Sequence, residues 1–156
     1  RRYVASSTLP SENKTTVIKV YLGNYVITRL SHQFLIEVGA PFIDFLEFFE
    51  SRAVRGHLIF PKMALLLHQL FSQFLKPGDW DTASPRRLLN VDYKDPEMQL
   101  SRGEVVVGHR VNKFLKEAGL TYKSPELDEF YEGVTKFYHE VSEKLTKYFR
   151  TPLTSR

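Results

Sequence analysis

Apolar side chains recur along this chain every three or four residues, and the densest run is Phe42-Ile43-Asp44-Phe45-Leu46-Glu47-Phe48-Phe49. On a helix, Phe42, Phe45, Leu46 and Phe49 share one face and Asp44, Glu47 and Glu50 lie opposite. Ile43 and Phe48 widen the apolar arc on its flanks. A helix with so broad an apolar surface is expected to be central, touching more than one neighbour. Ile27, Leu30, Phe34 and Val38 form a stripe that runs in phase into Phe42, Phe45 and Phe49. Pro41 interrupts it, as a kink or as the joint between two helices, because proline lacks a backbone donor and crowds the preceding turn.

Upstream, the stretch from Thr16 to Thr28 has two readings. Its β-branched residues around Gly23-Asn24 suit a small hairpin near residues 16–28. An isolated hairpin with no other strand nearby is marginal in water, so helix is favoured. Residues 1 to 12 are a polar lead-in, and Ser51 to Leu58 reads as a connecting loop. Pro61 then suits the first turn of a helix on which Met63, Leu67, Leu70, Phe71 and Phe74 share a face, with His68, Gln69, Ser72 and Gln73 opposite. Lys76-Pro77-Gly78 ends it, and the short connection folds it back antiparallel on its predecessor.

Gly78 to Gly103 is irregular and carries Trp80, with Ser84 as the expected cap of a short turn through Leu88-Leu89. Glu104 to Ala118 returns to helix, with Val107, Val111, Phe114, Leu115 and Ala118 on one side and Gly119 closing it. Ser124 and Pro125 open the clearest element, whose stripe is Leu127, Phe130, Tyr131, Val134, Phe137, Tyr138, Val141, Leu145, Tyr148 and Phe149. Opposite it, Glu132 with Lys136, Glu140 with Lys144 and Glu143 with Lys147 stand in the favourable i, i+4 order. The expected fold is an all-α bundle of about five or six helices with one long irregular connection. Residues 1–156 are expected to form one helical domain.

Composition narrows the function classes. At 42% hydrophobic and 26% charged the chain is ordinary for a globular protein, and its twelve phenylalanines sit mostly at helical spacing, as core residues do. With no cysteine, disulfides and thiolate metal sites are excluded and an intracellular home is expected. No apolar run is long enough for a membrane span, so no membrane partner is expected. The chain opens Arg1-Arg2-Tyr3 without a methionine, from which a fragment of a longer protein is expected.

Catalytic machinery is not visible. The five histidines never pair at i, i+4, and there is no nucleophile elbow, phosphate-cradling glycine loop or dinucleotide fingerprint, so no catalytic residue, metal or cofactor is assigned. Asp79 and Asp81 flank Trp80 with Asp92 and Asp95 downstream, a grouping that raises a metal-dependent hydrolase as a third reading. Aspartates in Gly- and Pro-rich loops more often make local turn hydrogen bonds. A net charge of +4 permits a nucleic-acid partner. Its candidate contacts are Arg86, Arg87, Arg102, Arg110, Lys113 and Lys116, with Trp80 as a stacking ring. For a protein partner or self-association the candidates are Ile43, Phe48 and Leu65, which lie off the main stripes.

The order of the pieces then becomes informative. Phe34-Leu35 through Phe42-Ile43-Asp44-Phe45-Leu46, Phe60-Pro61, Leu65-Leu66-Leu67 to Phe74-Leu75-Lys76, Arg87-Leu88-Leu89-Asn90-Val91-Asp92, Val105-Val106-Val107-Gly108 and Phe130-Tyr131 resemble a segment of hAT-superfamily transposases and their domesticated derivatives. The resemblance implies an α-helical region associated with a separate RNase H-like domain, nuclear DNA transactions and often an oligomer. The family's acidic triad has no counterpart on this chain, and Trp80 is the sole candidate for the tryptophan that relatives stack at a DNA end. The expectation is therefore a non-catalytic interaction or oligomerisation module of a transposase-like protein, with direct nucleic-acid binding as the alternative.

Overall fold

The computed structural model describes residues 11–50 and 56–154, and among these residues it is all-α, with five α-helices and no strand. The first helix, α1, runs Ser11–Glu50; a 3₁₀ turn, Gly56–Leu58, leads into α2, Ile59–Phe71. A short α3, Pro85–Leu88, and a 3₁₀ turn, Pro96–Met98, punctuate the irregular connection. Then come α4, His109–Glu117, a 3₁₀ turn, Pro125–Leu127, and the long α5, Asp128–Thr154.

The backbone of residues 16–28 is helical, so the hairpin alternative is excluded. A helix satisfies its own backbone groups, whereas a hairpin here would have found no third strand to lie against. Pro41 lies inside α1 and neither ends nor divides it. A mid-helix proline costs about 3 kcal/mol. Packing on both sides of it offsets that cost: Phe34 and Val38 are buried before it, and Phe45 packs against the core after it. Residues 51–55, part of the loop expected from Ser51 to Leu58, lie outside the described residues.

One cluster of buried side chains joins these helices. From α1 come Leu30, Phe34 and Val38; from α2, Leu66, Leu67, Leu70 and Phe71; from α5, Phe130, Val134 and Tyr138. The ring of Phe34 meets Phe130, Phe137 and Tyr138 edge-on, with centroids 6.3, 5.2 and 5.7 Å away. Phe74, just past α2, stacks on Tyr138 at 5.0 Å. At the far end, Phe45 of α1 lies 6.0 Å from Phe149 of α5. Lys62, early in α2, sits over Phe48, late in α1, while Gln69 and Pro41 share a depression farther along, so α1 and α2 run antiparallel as expected.

Several local expectations are corrected by packing. Neither Ser84 nor Ser124 makes a side-chain cap bond; the Ser124 hydroxyl instead accepts from the Thr121 N–H at 3.0 Å, holding the turn before α5. The helix expected from Glu104 begins only at His109. Gly108 has a φ of 98°, and the N–H of Val106 donates to the Gln73 carbonyl at 2.9 Å, so residues before it follow the end of α2 instead of coiling. A side chain at Gly108 would overlap the Glu37 carboxylate, which is how closely α4 approaches α1. Ala118 is exposed, and so is Tyr148 at 72%, despite its place in the α5 stripe. Of the expected ion pairs, Lys136 turns to Glu140 at 3.9 Å and Glu143 reaches Lys94 at 3.0 Å.

The irregular connection is tied down. Leu75 and Gln99 form an antiparallel bridge, flanked by Lys76 N–H to Met98 O and Leu100 N–H to Phe74 O, both 2.8 Å. Tyr138 closes the arrangement, for its buried hydroxyl donates to the Val106 carbonyl at 2.6 Å and has the Gln73 amide 3.0 Å away. Burial raises its pKa well above that of ordinary tyrosine, so the O–H stays a donor. Tyr138→Phe keeps the ring stack and removes only that donor. It is expected to lower stability by about 1–3 kcal/mol in a urea titration, with the helical circular-dichroism signal unchanged.

Candidate interaction surface

Residues of a helix advance about 100° each, so the sides of α1 can be assigned from what each position touches. Leu30, Phe34 and Phe45 face α5 and the core. Glu37 accepts from the Arg110 N–H at 2.8 Å and faces its guanidinium at 3.7 Å, and Arg29 lies 4.8 Å over the Phe114 ring, so α4 covers a second side. What remains is an outward face. It carries Leu35, Ile36 at 60% exposure, Ile43 at 56% and Leu46 at 58%, with Tyr25 nearly three turns before them. Gly39 sits in the middle of this face, and nothing lies within 4 Å of where its Cβ would be.

Leu46 was expected on the inward side. Buried Leu30, Phe34 and Val38 set the inward direction, and Phe45 continues it; its neighbour Leu46 is one residue and therefore about 100° farther round, in solvent. The three candidates for a protein interface separate in the same way. Ile43 belongs to the outward face. Phe48 is half-buried beneath Lys62, 5.1 Å from its ring, and Leu65 is exposed on α2 beside the depression formed with Pro41 and Asp44. Sequence reasoning missed Leu35, Ile36, Leu46 and Gly39 as a set. The available signal was a seven-residue recurrence, Ile36 to Ile43 and Gly39 to Leu46, hidden beneath the stronger phenylalanine stripe.

The nucleic-acid candidates are dispersed over separate elements. Arg86 and Arg87 are exposed on α3, whereas Arg110, Lys113 and Lys116 are exposed on α4. Arg110 engages Glu37 and Lys113 lies 4.0 Å from Glu117. Arg102 is held at the start of α5, paired with Asp128, bonded to the Ser124 carbonyl and stacked 4.5 Å from Tyr131. Trp80 is 4% exposed, edge-on to Phe71, with its indole N–H donated to the Lys76 carbonyl at 2.8 Å. Its ring is core in this conformation. The acids do not converge: among the described residues no group of three or more His, Cys, Asp or Glu side chains is placed to hold a metal ion. Asp95 instead accepts from the Glu97 N–H at 3.0 Å and caps a 3₁₀ turn. Among the described residues no helix is long and apolar enough to cross a membrane.

A groove of about 830 Å³ runs between α5 and the segment from Lys94 to Val105. Phe74, Leu100, Tyr131 and Tyr138 line it, and ion pairs of Lys94 with Glu143, Arg102 with Asp128 and Lys136 with Glu140 lie along it. His139 sits in this groove, its Nε2 2.9 Å from the Gln99 amide nitrogen, with Phe74 and Tyr93 beside the ring. Compared with protein-family models, with curated proteins and with solved structures, the chain matches none.

The titrating groups of the groove give it a pH dependence. Burial, and then the nearby Lys94 cation, hold the His139 imidazole below its ordinary 6.5. As pH falls, the unfolded chain therefore takes up this proton first. The contribution is fully present above pH 6.5 and declines below it. Glu143, held low by its hydrogen bond from Lys94, and outside the groove Glu104, held low by the Ser101 hydroxyl and N–H, lose theirs only below the ordinary glutamate value of 4.5. Urea midpoints at about pH 7.5 and about pH 5.5 are expected to differ in the native protein, and His139→Gln is expected to reduce that difference.

Proposed function

We propose that this chain is a non-catalytic helical interaction module that self-associates through the outward face of α1. One observation carries the reading: Leu35, Ile36, Ile43 and Leu46 stand in solvent along a single side of α1, away from the side chains that pack on α2, α4 and α5. Apolar side chains aligned in this way mark a surface that gains by being covered. An isolated exposed leucine would mean little. Here four branched aliphatic side chains follow one another within twelve residues, around an open glycine.

The resemblance to hAT-type transposases implies a setting for such a module, a helical region of a larger transposon-derived parent acting on nuclear DNA. The described residues are all-α in fold, as such a region would be. Direct binding of nucleic acid is the second reading, favoured by the solvent-facing Arg86, Arg87 and Lys116 on a chain of net charge +4.

Sedimentation velocity across a concentration series separates the two. A dimer whose population rises with protein concentration and ignores added duplex DNA is the expected result. Affinity for DNA that falls steeply with salt would favour the second reading instead. The double variant Ile43→Asp, Leu46→Asp is expected to weaken self-association by more than about tenfold, since it removes two apolar side chains from the contact. Its helical signal and urea midpoint should stay near those of the native protein, because neither side chain packs in the core. An unchanged sedimentation profile in this variant would overturn the reading.

A further inference from the structure

We infer that α1 receives the α1 of a second copy running antiparallel, with the two helices crossing at the level of Val38. The pairing rests on the self-association proposed above and adds its direction and register. Three features of the outward face converge on it. The first is spacing. Ile36 and Ile43 are seven residues apart, as are His32, Gly39 and Leu46 in series, which is the repeat that keeps a helix–helix seam aligned. The second is the bare backbone at Gly39, which lets another helix approach closely at the middle of the seam.

Charge supplies the direction. Arg29 and Glu47 are eighteen residues apart, five full turns at 3.6 residues each, so they occupy the same angular position on α1. That position lies about 70° round from the centre of the apolar face, on its flank. Both residues are exposed, and the Arg29 guanidinium is held at the α4 edge over the Phe114 ring. Two helices related by a two-fold axis perpendicular to them face each other flank to same flank. With the crossing at residue 38, Arg29 then stands level with Glu47 of the second copy, and the pair forms twice. In that register Ile43 settles between His32 and Ile36 of the second copy, and Ile36 between its Gly39 and Ile43. A parallel pair instead sets Arg29 level with Arg29 and Glu47 level with Glu47, with no compensating charge on that flank.

The absence of native cysteine makes the direction measurable, because each introduced thiol is the sole one in its chain. Arg29→Cys and Glu47→Cys proteins are mixed and treated with a short bis-maleimide. The antiparallel seam predicts one cross-linked dimer in the mixture and essentially none in either variant alone. Cross-linking of each variant with itself, at least as efficient as in the mixture, would show a parallel seam; the inference would fall while self-association stood. A dimer by sedimentation that gives no cross-link in any combination would likewise overturn it. A protein that stays monomeric throughout would remove the self-association reading as well. Independently, Arg29→Glu and Glu47→Arg are each expected to weaken the dimer roughly three- to tenfold, with the double reversal restoring it. Failure of the double reversal to restore affinity would count against the pairing.

Discussion

The buried hydroxyl of Tyr138 constrains where four segments of the chain can lie. A donor with no access to water must be matched, and here the match is a main-chain carbonyl, that of Val106. That bond fixes the segment before α4 against α5, while the ring stacks on Phe74 past the end of α2 and takes the edge of Phe34 from α1. Gln73 completes the set twice, through its side chain to Tyr138 and through its carbonyl to Val106. Apolar burial supplies the drive for collapse but is indifferent to small displacements. The hydrogen bonds at this point are directional, and they select one arrangement among those that would bury similar area.

The outward face of α1 follows from the same arrangement. Once α5 lies along the side marked by Phe34 and Phe45, α4 is brought against Glu37 and Arg29 and α2 against the later turns, and Leu35, Ile36, Ile43 and Leu46 are left in solvent. A helix of 40 residues also outreaches the rest of a small bundle. Its remaining apolar side chains are thus a consequence of one helix carrying two stripes where the fold uses one. A second copy of the same helix matches the spacing of that unused stripe and the opposite charges on its flank.

The charged residues show a related division. Most of the cations with assigned partners serve local structure: Arg102 bridges the start of α5, Arg110 the contact of α4 with α1, and Lys94 the groove beside α5. These are exposed or half-exposed pairs, individually worth little in water. Their effect is to occupy hydrogen-bonding groups at junctions between elements, and the positive balance of the chain is spread accordingly over several sides.

Much of the fold was legible in the sequence. Helical spacing from Met63 to Phe71 and from Leu127 to Phe149 identified α2 and α5, Gly119 closed α4 with its φ of 66°, and the proline-rich connection came out irregular. These are local properties, set by periodicity and by the conformational limits of glycine and proline, so they survive without knowledge of neighbours. Tertiary structure alone decided which way each stripe faces. Leu46 and Phe45 are equally apolar and adjacent, yet one is in solvent and the other packed on Phe149; Ala118, expected in the stripe of α4, is exposed. Sequence spacing determines which side chains share a side of a helix, because that depends only on its pitch. Which side meets the core depends on where distant segments come to rest, and that was settled by contacts such as those of Tyr138 that no local pattern encodes.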